Sequence, residues 1–129
     1  MTVRILIVDD SALLRQRLRA TLEKHIDWEV CGEAVDGLEA VQKSRALEPN
    51  LIIMDLSMPR MSGLEAASKI LEEFPKVPIL LLTLYLTNQL AEEARKVGIR
   101  AALPKTALSQ LVGNVDALLG GNGPRGRGR

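Results

Sequence analysis

A regular alternation of short apolar runs with longer segments of helical periodicity constrains this chain more than any other feature. The apolar runs predict five β-strands, Val3–Val8, Trp28–Cys31, Leu51–Met54, Val77–Leu82 and Arg100–Leu103. The segments between them repeat apolar residues at helical spacing, as Leu14, Leu18 and Leu22 do. Strands that alternate with helices form a parallel sheet with crossover helices. The sequence therefore predicts an α/β fold of five strand–helix units.

Capping signals predict where the helices begin and end. Asp36 and Ser62 are each followed by a glutamate three residues later, a spacing that predicts a capping box at the second and third helices. Thr87 and Thr106 are predicted to cap the fourth and fifth helices, and Gly98 is predicted to end the fourth.

The length and composition indicate one globular domain. The chain has 129 residues, of which 47% are hydrophobic and 26% charged. We expect the domain to span residues 1–119, because the apolar pattern ends at Leu119. Residues 120–129 are rich in glycine and arginine and carry no aliphatic or aromatic side chain, so we expect a flexible tail.

The same composition excludes several functional classes. The single cysteine, Cys31, cannot form an internal disulfide, which fits a reducing compartment. The longest apolar stretch, residues 77–86, is shorter than the roughly 18 residues that a membrane span needs. Aromatic residues make up only 2% of the chain, too few for a base-stacking surface. We therefore expect a cytoplasmic protein with no membrane contact and no direct DNA binding by this chain.

Five chemically active side chains follow the predicted strands: Asp9, Asp10, Asp55, Thr83 and Lys105. The carboxyl ends of parallel strands share one edge of the sheet, where open α/β folds bind ligands. Carboxylates that converge there repel one another, and Mg²⁺ is the hard cation that prefers oxygen ligands. A hydroxyl and an amine beside the metal suit an anion, for which phosphoryl is the favoured identity. Singly, the aspartates also fit a helix-capping turn and the lysine a solvated cation; as a set they predict a site.

These residues resemble a known motif set. Asp9-Asp10, the run Met54-Asp55-Leu-Ser-Met58-Pro59 through Gly63, Thr83 and Lys105 are spaced as in the receiver domain of bacterial two-component response regulators. The resemblance covers roughly residues 3–119. It implies a doubly wound, flavodoxin-like (βα)5 sheet with strand order 2-1-3-4-5, an order that the sequence alone does not provide.

The resemblance also implies a role for each residue. Asp55 would accept a phosphoryl group, Thr83 and Lys105 would contact that group, and Mg²⁺ would be held by Asp9, Asp10, Asp55 and the backbone carbonyl of Ser57. The donor would be a sensor histidine kinase or a phosphotransfer protein, and the output a downstream protein partner or a homodimer. We expect a signalling domain rather than an enzyme, with self-phosphorylation from small donors and self-dephosphorylation.

Two other functions remain open at this point. A phosphatase of the haloacid dehalogenase type also uses a strand-end aspartate, Mg²⁺, threonine and lysine, but places its nucleophile after the first strand. A phosphorylation-independent pseudo-receiver would act only as an interaction surface. The run Glu29–Ala40 resembles receivers that usually precede a helix-turn-helix domain, so the chain is either a stand-alone receiver or a piece of a longer regulator.

Three residues depart from the family pattern. Ala102 stands where an aromatic residue often precedes the lysine by three positions, which leaves Tyr85 as the nearby aromatic. Leu84 follows the threonine where a small residue is usual, so we expect it to restrict access to Asp55. Proline often follows the lysine, whereas here Pro104 precedes it.

Overall fold

Five strands and five α-helices alternate along the chain in the computed structural model, which describes residues 2–120. The strands are β1 (Val3–Val8), β2 (Trp28–Ala34), β3 (Leu51–Asp55), β4 (Ile79–Thr83) and β5 (Ala101–Pro104). The helices are α1 (Ala12–Leu22), α2 (Gly37–Leu47), α3 (Gly63–Glu73), α4 (Asn88–Val97) and α5 (Leu111–Leu118), with a 3₁₀ helix, Lys105–Gln110, before α5. None of the helices in this described part has the length and apolar character needed to cross a bilayer.

The strands form one parallel sheet in the order β2-β1-β3-β4-β5. The α/β class and the strand order 2-1-3-4-5 are therefore confirmed. In this order β1 lies between β2 and β3. The chain adds β2 on one side of β1 and the later strands on the other side, so the order of addition reverses between β1 and β3. Ligands of doubly wound sheets bind at the carboxyl ends of the strands at such a reversal.

The core lies on both faces of the sheet, because alternate strand residues point to opposite sides. On one face Leu6, Ile52 and Leu81 pack with residues of α2, α3 and α4. On the other face Ile5, Ile53 and Leu80 pack with residues of α1 and α5. Burial on both faces explains why β3 and β4 are continuous apolar runs rather than alternating ones.

Most predicted helix caps are confirmed, although Glu39 accepts a hydrogen bond from the Val35 N–H rather than completing a capping box with Asp36. The side chains of Asp36, Ser62 and Thr87 accept hydrogen bonds from the backbone N–H three residues later, at 2.8, 3.2 and 3.1 Å. Gly98 ends α4 with φ of 112°, a left-handed conformation that glycine adopts at little cost.

Two boundary predictions are wrong by more than two residues, whereas β4 and β5 differ from their predicted bounds by one or two. β2 continues to Ala34 rather than ending at Cys31, because Glu33 and Ala34 still pair with Ile7 and Val8 of β1. Polar side chains are tolerated there because β2 is an edge strand. Thr106 does not cap the last helix: it lies inside the 3₁₀ helix, and α5 begins only at Leu111.

The predicted tail, residues 120–129, lies outside the described residues except for Gly120. The proposed division at Leu119 is therefore untested.

Trp28 begins β2 at the end of the sheet opposite the carboxyl edge. Its side chain is buried, with 6% exposure. The indole stacks on the imidazole of His25, with ring centroids 4.0 Å apart and planes 8° from parallel. The backbone N–H of Trp28 also donates to the backbone carbonyl of His25 at 3.1 Å, so this pair closes the connection from α1 to β2.

Candidate functional site

The carboxyl edge of the sheet brings together the side chains predicted from the sequence. Asp9 directly follows β1, and Asp55 and Thr83 are the last residues of β3 and β4. All three are buried, with exposures of 0%, 3% and 5%. Asp10 is exposed beside them, and Lys105 follows β5 and is partly buried. Residues nearly a hundred positions apart thus share one site because their strands are parallel.

Lys105 bridges the two buried carboxylates. Its Nζ lies 3.0 Å from Asp9 Oδ2 and 3.0 Å from Asp55 Oδ1. Burial works against the charged ammonium, but the two carboxylates outweigh that cost and raise the pKa of Lys105. The site therefore contains one fixed positive charge.

The surroundings of Asp55 disfavour its charged form. Burial raises its pKa above the ordinary value, and the charge of Asp9 acts in the same direction. The ammonium of Lys105 and the backbone N–H of Ser57 oppose that shift without cancelling it. Asp55 is therefore an aspartate of raised basicity that is poorly solvated, a state that favours binding of a cation.

The carboxylates fit a divalent metal ion. Asp9, Asp10 and Asp55 each offer one oxygen, and these oxygens lie within 4.8 Å of one another. Asp9 Oδ1 accepts a hydrogen bond from the Ser11 N–H at 2.8 Å. Its buried Oδ2 is paired with the Lys105 ammonium, 3.0 Å away, and accepts no further hydrogen bond from the described residues. A hard cation bound by oxygen, such as Mg²⁺, would satisfy this atom.

An open cavity of about 400 Å³ lies over Asp55. Its lining comprises Asp10, Asp55, Leu56, Ser57, Thr83, Leu84, Tyr85 and Lys105. The rim is apolar: Leu84 is 64% and Tyr85 83% exposed. Ser57, whose backbone carbonyl was predicted to bind the metal, is part of this lining. Every residue of the predicted site except Asp9 therefore borders the cavity.

The side-chain hydroxyl of Thr83 makes only a weak hydrogen bond among the described residues. Its hydroxyl donates to the Tyr85 carbonyl at 3.5 Å, which is the long limit of a hydrogen bond. A stronger acceptor in the cavity, such as a phosphoryl oxygen, would compete successfully for this hydroxyl.

Arg15 and Glu33 support the site and were missed by the sequence analysis. The Arg15 guanidinium donates to the Asp9 carbonyl at 2.7 Å and to Glu33 at 2.7 Å, and Arg19 donates to Glu33 at 2.8 Å. Burial raises the pKa of Glu33, but the two arginines outweigh it and hold that pKa low. The network fixes the backbone at the end of β1. No pattern in the sequence marks a contact between helix α1 and an edge strand 18 residues away.

Gly63 allows α3 to begin directly against the residues that follow Asp55. A Cβ at this position would lie 2.2 Å from the Asp55 carbonyl oxygen. The Gly63 N–H donates to the Leu56 carbonyl at 2.8 Å, and the Leu56 N–H donates to the Leu82 carbonyl at 3.0 Å. The backbone after the candidate phosphoacceptor is thereby tied to both β4 and α3.

Comparison with known proteins identifies a family and several relatives of this chain. Residues 5–116 match the response regulator receiver domain family. The response regulator protein VraR of Staphylococcus aureus is 36% identical over 106 residues, which are 82% of this chain and 51% of that protein. The chain thus spans about half the length of the curated relatives it matches.

Solved structures agree with the fold. The response regulator domain of Thermotoga maritima CheB superposes with a TM-score of 0.87 and 28% identity, covering 92% of this chain and 97% of that one. The Vibrio cholerae chemotaxis protein CheY4 gives 0.84 and 30%, covering 92% and 99%. A LuxR-family two-component response regulator from Aurantimonas gives 0.89 and 29%, covering 100% and 90%.

Proposed function

Because this chain belongs to the response regulator receiver domain family, we propose that Asp55 is its phosphoacceptor and that Asp9, Asp10, Asp55 and the Ser57 carbonyl hold Mg²⁺. A receiver domain is the phosphorylated switch of a two-component signalling system. The observation that carries the assignment is that Asp55 is buried, is raised in basicity, and borders an open cavity together with Lys105.

The transfer needs an oxygen nucleophile in line with the leaving group and positive charge at the equatorial oxygens. Asp55 attacks phosphorus, the bond from phosphorus to the donor breaks, and its electron pair leaves with the donor. Lys105, already 3.0 Å from Asp55, supplies one positive charge, and Thr83 supplies a hydroxyl donor. A bound Mg²⁺ would supply the remaining charge neutralisation.

The donor and the output follow from the same proposal. We expect a sensor histidine kinase or a phosphotransfer protein to present a phosphohistidine to the cavity over Asp55. A downstream protein, or a second copy of the chain, would then read the phosphorylated state in the cytoplasm. We expect no direct DNA binding by this chain, whether it is a stand-alone receiver or a piece of a longer DNA-binding regulator.

Mass measurement after treatment with acetyl phosphate and Mg²⁺ tests the assignment. The protein should gain one phosphoryl group, and Asp55→Asn should gain none. Asp116→Asn, the same change at an exposed position of α5, is the matched control and should behave as the unmodified protein. A phosphoryl gain in Asp55→Asn would contradict the assignment.

A phosphate-ester substrate separates this function from the phosphatase alternative. A receiver transfers the phosphoryl group to itself, so product should not exceed a few equivalents per protein molecule on the time scale of a hydrolase assay. Continuous turnover of an aryl phosphate that is lost in Asp9→Asn would favour the phosphatase.

A further inference from the structure

Arg60 lies in the loop of residues 56–62, between β3 and α3, and reaches across to α2. Its guanidinium donates to Asp36 Oδ2 from Nε at 2.9 Å and approaches the same oxygen from Nη2 at 2.7 Å. The Arg60 side chain is 60% exposed, whereas that of Asp36 is only 6% exposed. An arginine on the surface thus covers a buried carboxylate.

Asp36 is anchored independently of Arg60. Its Oδ1 accepts from the Glu39 N–H at 2.8 Å as the N-cap of α2. The Glu39 N–H and the Arg60 guanidinium together hold the pKa of Asp36 below its usual range. The carboxylate therefore stays charged and is fixed to the first turn of a helix, which makes it a rigid attachment point for the loop.

The backbone of Arg60 adopts a conformation that its side chain does not favour. Its φ is 68°, in the left-handed region, where residues other than glycine are uncommon. Such a conformation persists when surrounding contacts hold it in place. The ion pair to Asp36 is one such contact at this residue.

A backbone contact lies beside the ion pair. A Cβ at Gly37 would lie 2.4 Å from the carbonyl oxygen of Met61, so the start of α2 touches the loop one residue after Arg60. The 56–62 loop is thus held at its beginning by backbone hydrogen bonds of Leu56 with Leu82 and Gly63. Near its end it is held by the Asp36–Arg60 ion pair and by the close contact with Gly37. Ser57 lies between these two attachments.

We propose that the Asp36–Arg60 ion pair is a positioning device that sets the place of the Ser57 carbonyl and thereby the affinity of the site for Mg²⁺. This inference rests on the function proposed above. Neither residue borders the cavity over Asp55. Both act through the loop, as groups that orient metal ligands do elsewhere.

Two substitutions remove the ion pair with little other change. Arg60→Gln removes the charge, and Asp36→Asn does so while keeping a side chain that caps helices equally well. Each should weaken Mg²⁺ binding by about tenfold, the lower end of the loss expected when a group supporting a metal ligand is removed. The double variant should bind no more weakly than either single variant, because both changes break one contact.

Isothermal titration of the full chain with Mg²⁺ measures these affinities. Arg45→Gln is the matched control: it breaks the Arg45–Glu73 ion pair, also 2.7 Å long, which joins α2 to α3 away from the loop. Its dissociation constant should equal that of the unmodified protein. Urea unfolding of the metal-free proteins checks that all variants are folded, and the amide shift of Ser57 should move in Arg60→Gln but not in Arg45→Gln.

Arg60→Gly separates the ion pair from the backbone conformation, because glycine adopts a positive φ freely. It should bind Mg²⁺ as weakly as Arg60→Gln. Unmodified affinity in Arg60→Gly, or in both Arg60→Gln and Asp36→Asn, would overturn the inference. Failure of the unmodified protein to bind Mg²⁺ or to gain a phosphoryl group would instead overturn the proposed function.

Discussion

At the scale of single residues, the site holds its acidic groups at a cost that the metal-free protein pays in stability. Asp55 is buried beside Asp9, and one lysine does not compensate fully, since the pKa of Asp55 remains raised. A group whose pKa is raised by folding binds its proton more tightly in the folded state. It therefore destabilises the fold once the pH is above the folded pKa, and this penalty disappears as the pH falls below the unfolded value.

Asp55→Asn should accordingly raise the melting temperature in EDTA at about pH 7, by a few degrees. The difference between the two proteins should shrink as the pH falls through the interval between the raised pKa of Asp55 and its ordinary value. Thermal unfolding followed at several pH values measures both effects. A difference that is independent of pH would show that burial of the charge is not its cause.

Leu84 is the residue-scale feature that should govern access to Asp55. It lines the cavity and is largely exposed, so its removal opens the rim without disturbing the core. Leu84→Ala should speed phosphorylation by acetyl phosphate about fivefold, which corresponds to a barrier lowered by about 1 kcal/mol. Stopped phosphorylation time courses analysed by mass provide the rates, with Leu13→Ala, another exposed leucine, as the control. Equal rates in the Leu84 variant and the unmodified protein would show that Leu84 does not restrict the donor.

The sequence was sufficient to predict which polar residues meet at the carboxyl edge of the sheet, but not which residues support them. Asp9, Asp55 and Lys105 were predicted to converge because, taken as a set, polar residues at the ends of several parallel strands share one edge of the sheet. The contacts of Arg15 with Glu33 and of Arg60 with Asp36 span 18 and 24 residues between different elements. Charged residues of this kind are common on helices and loops, so nothing in their spacing marks a partner.

At the scale of elements, close approach between α3 and the residues after Asp55 depends on Gly63. A Cβ there would be 2.2 Å from a backbone oxygen, which cannot rotate away as a side chain can. Gly63→Ala should lower the free energy of unfolding by about 3 kcal/mol and weaken Mg²⁺ binding.

Gly113 provides the contrasting case. It lies in the middle of α5, and a Cβ there would meet nothing within 4 Å. Gly113→Ala should therefore raise the free energy of unfolding by about 0.5–1 kcal/mol through helix propensity alone. Urea unfolding of the two variants gives both values, and equal effects at the two glycines would show that the contact at Gly63 is relieved by movement of α3.

Element boundaries were predicted well where side chains define them and poorly where the backbone does. Asp36, Ser62 and Thr87 cap helices as expected because a side-chain oxygen makes the decisive bond. β2 extends beyond its apolar residues because pairing with β1 is a backbone interaction that any side chain permits. The 3₁₀ helix that begins at Lys105 has no side-chain cap, so no residue type in the sequence marks its start.

At the scale of the whole molecule, the family resemblance leads us to expect that the phosphorylated state is read on the face formed by α4, β5 and α5. The phosphoryl group would draw the Thr83 hydroxyl away from its weak bond to the Tyr85 carbonyl. Ala102 stands where the family often has an aromatic side chain, so we expect the movement to pass through the backbone of residues 84–87. A shift of this kind requires the phosphoryl group to favour one conformer energetically.

Amide chemical shifts with and without beryllofluoride and Mg²⁺ test this route. Shifts should spread from Thr83 through Thr87 to residues 100–105. Confinement of the changes to the neighbours of Asp55 would show that this face does not receive the signal. The order of the sheet lies behind this expectation, and it entered only with the family resemblance, since no local pattern encodes which strands are neighbours.

The position of Trp28 at the far end of β2 has a consequence for fluorescence and absorption experiments. The chain contains one tryptophan and one tyrosine. Trp28 begins β2 and lies about 20 Å, the length of that strand, from the carboxyl edge. Its emission should report loss of the core on unfolding and remain nearly silent when the site is filled. Tyr85 lines the cavity itself, so its ultraviolet signal should respond to the ligand. The stability of the fold and the occupancy of the site by a ligand can thus be followed in one cuvette, at two wavelengths, without an attached dye.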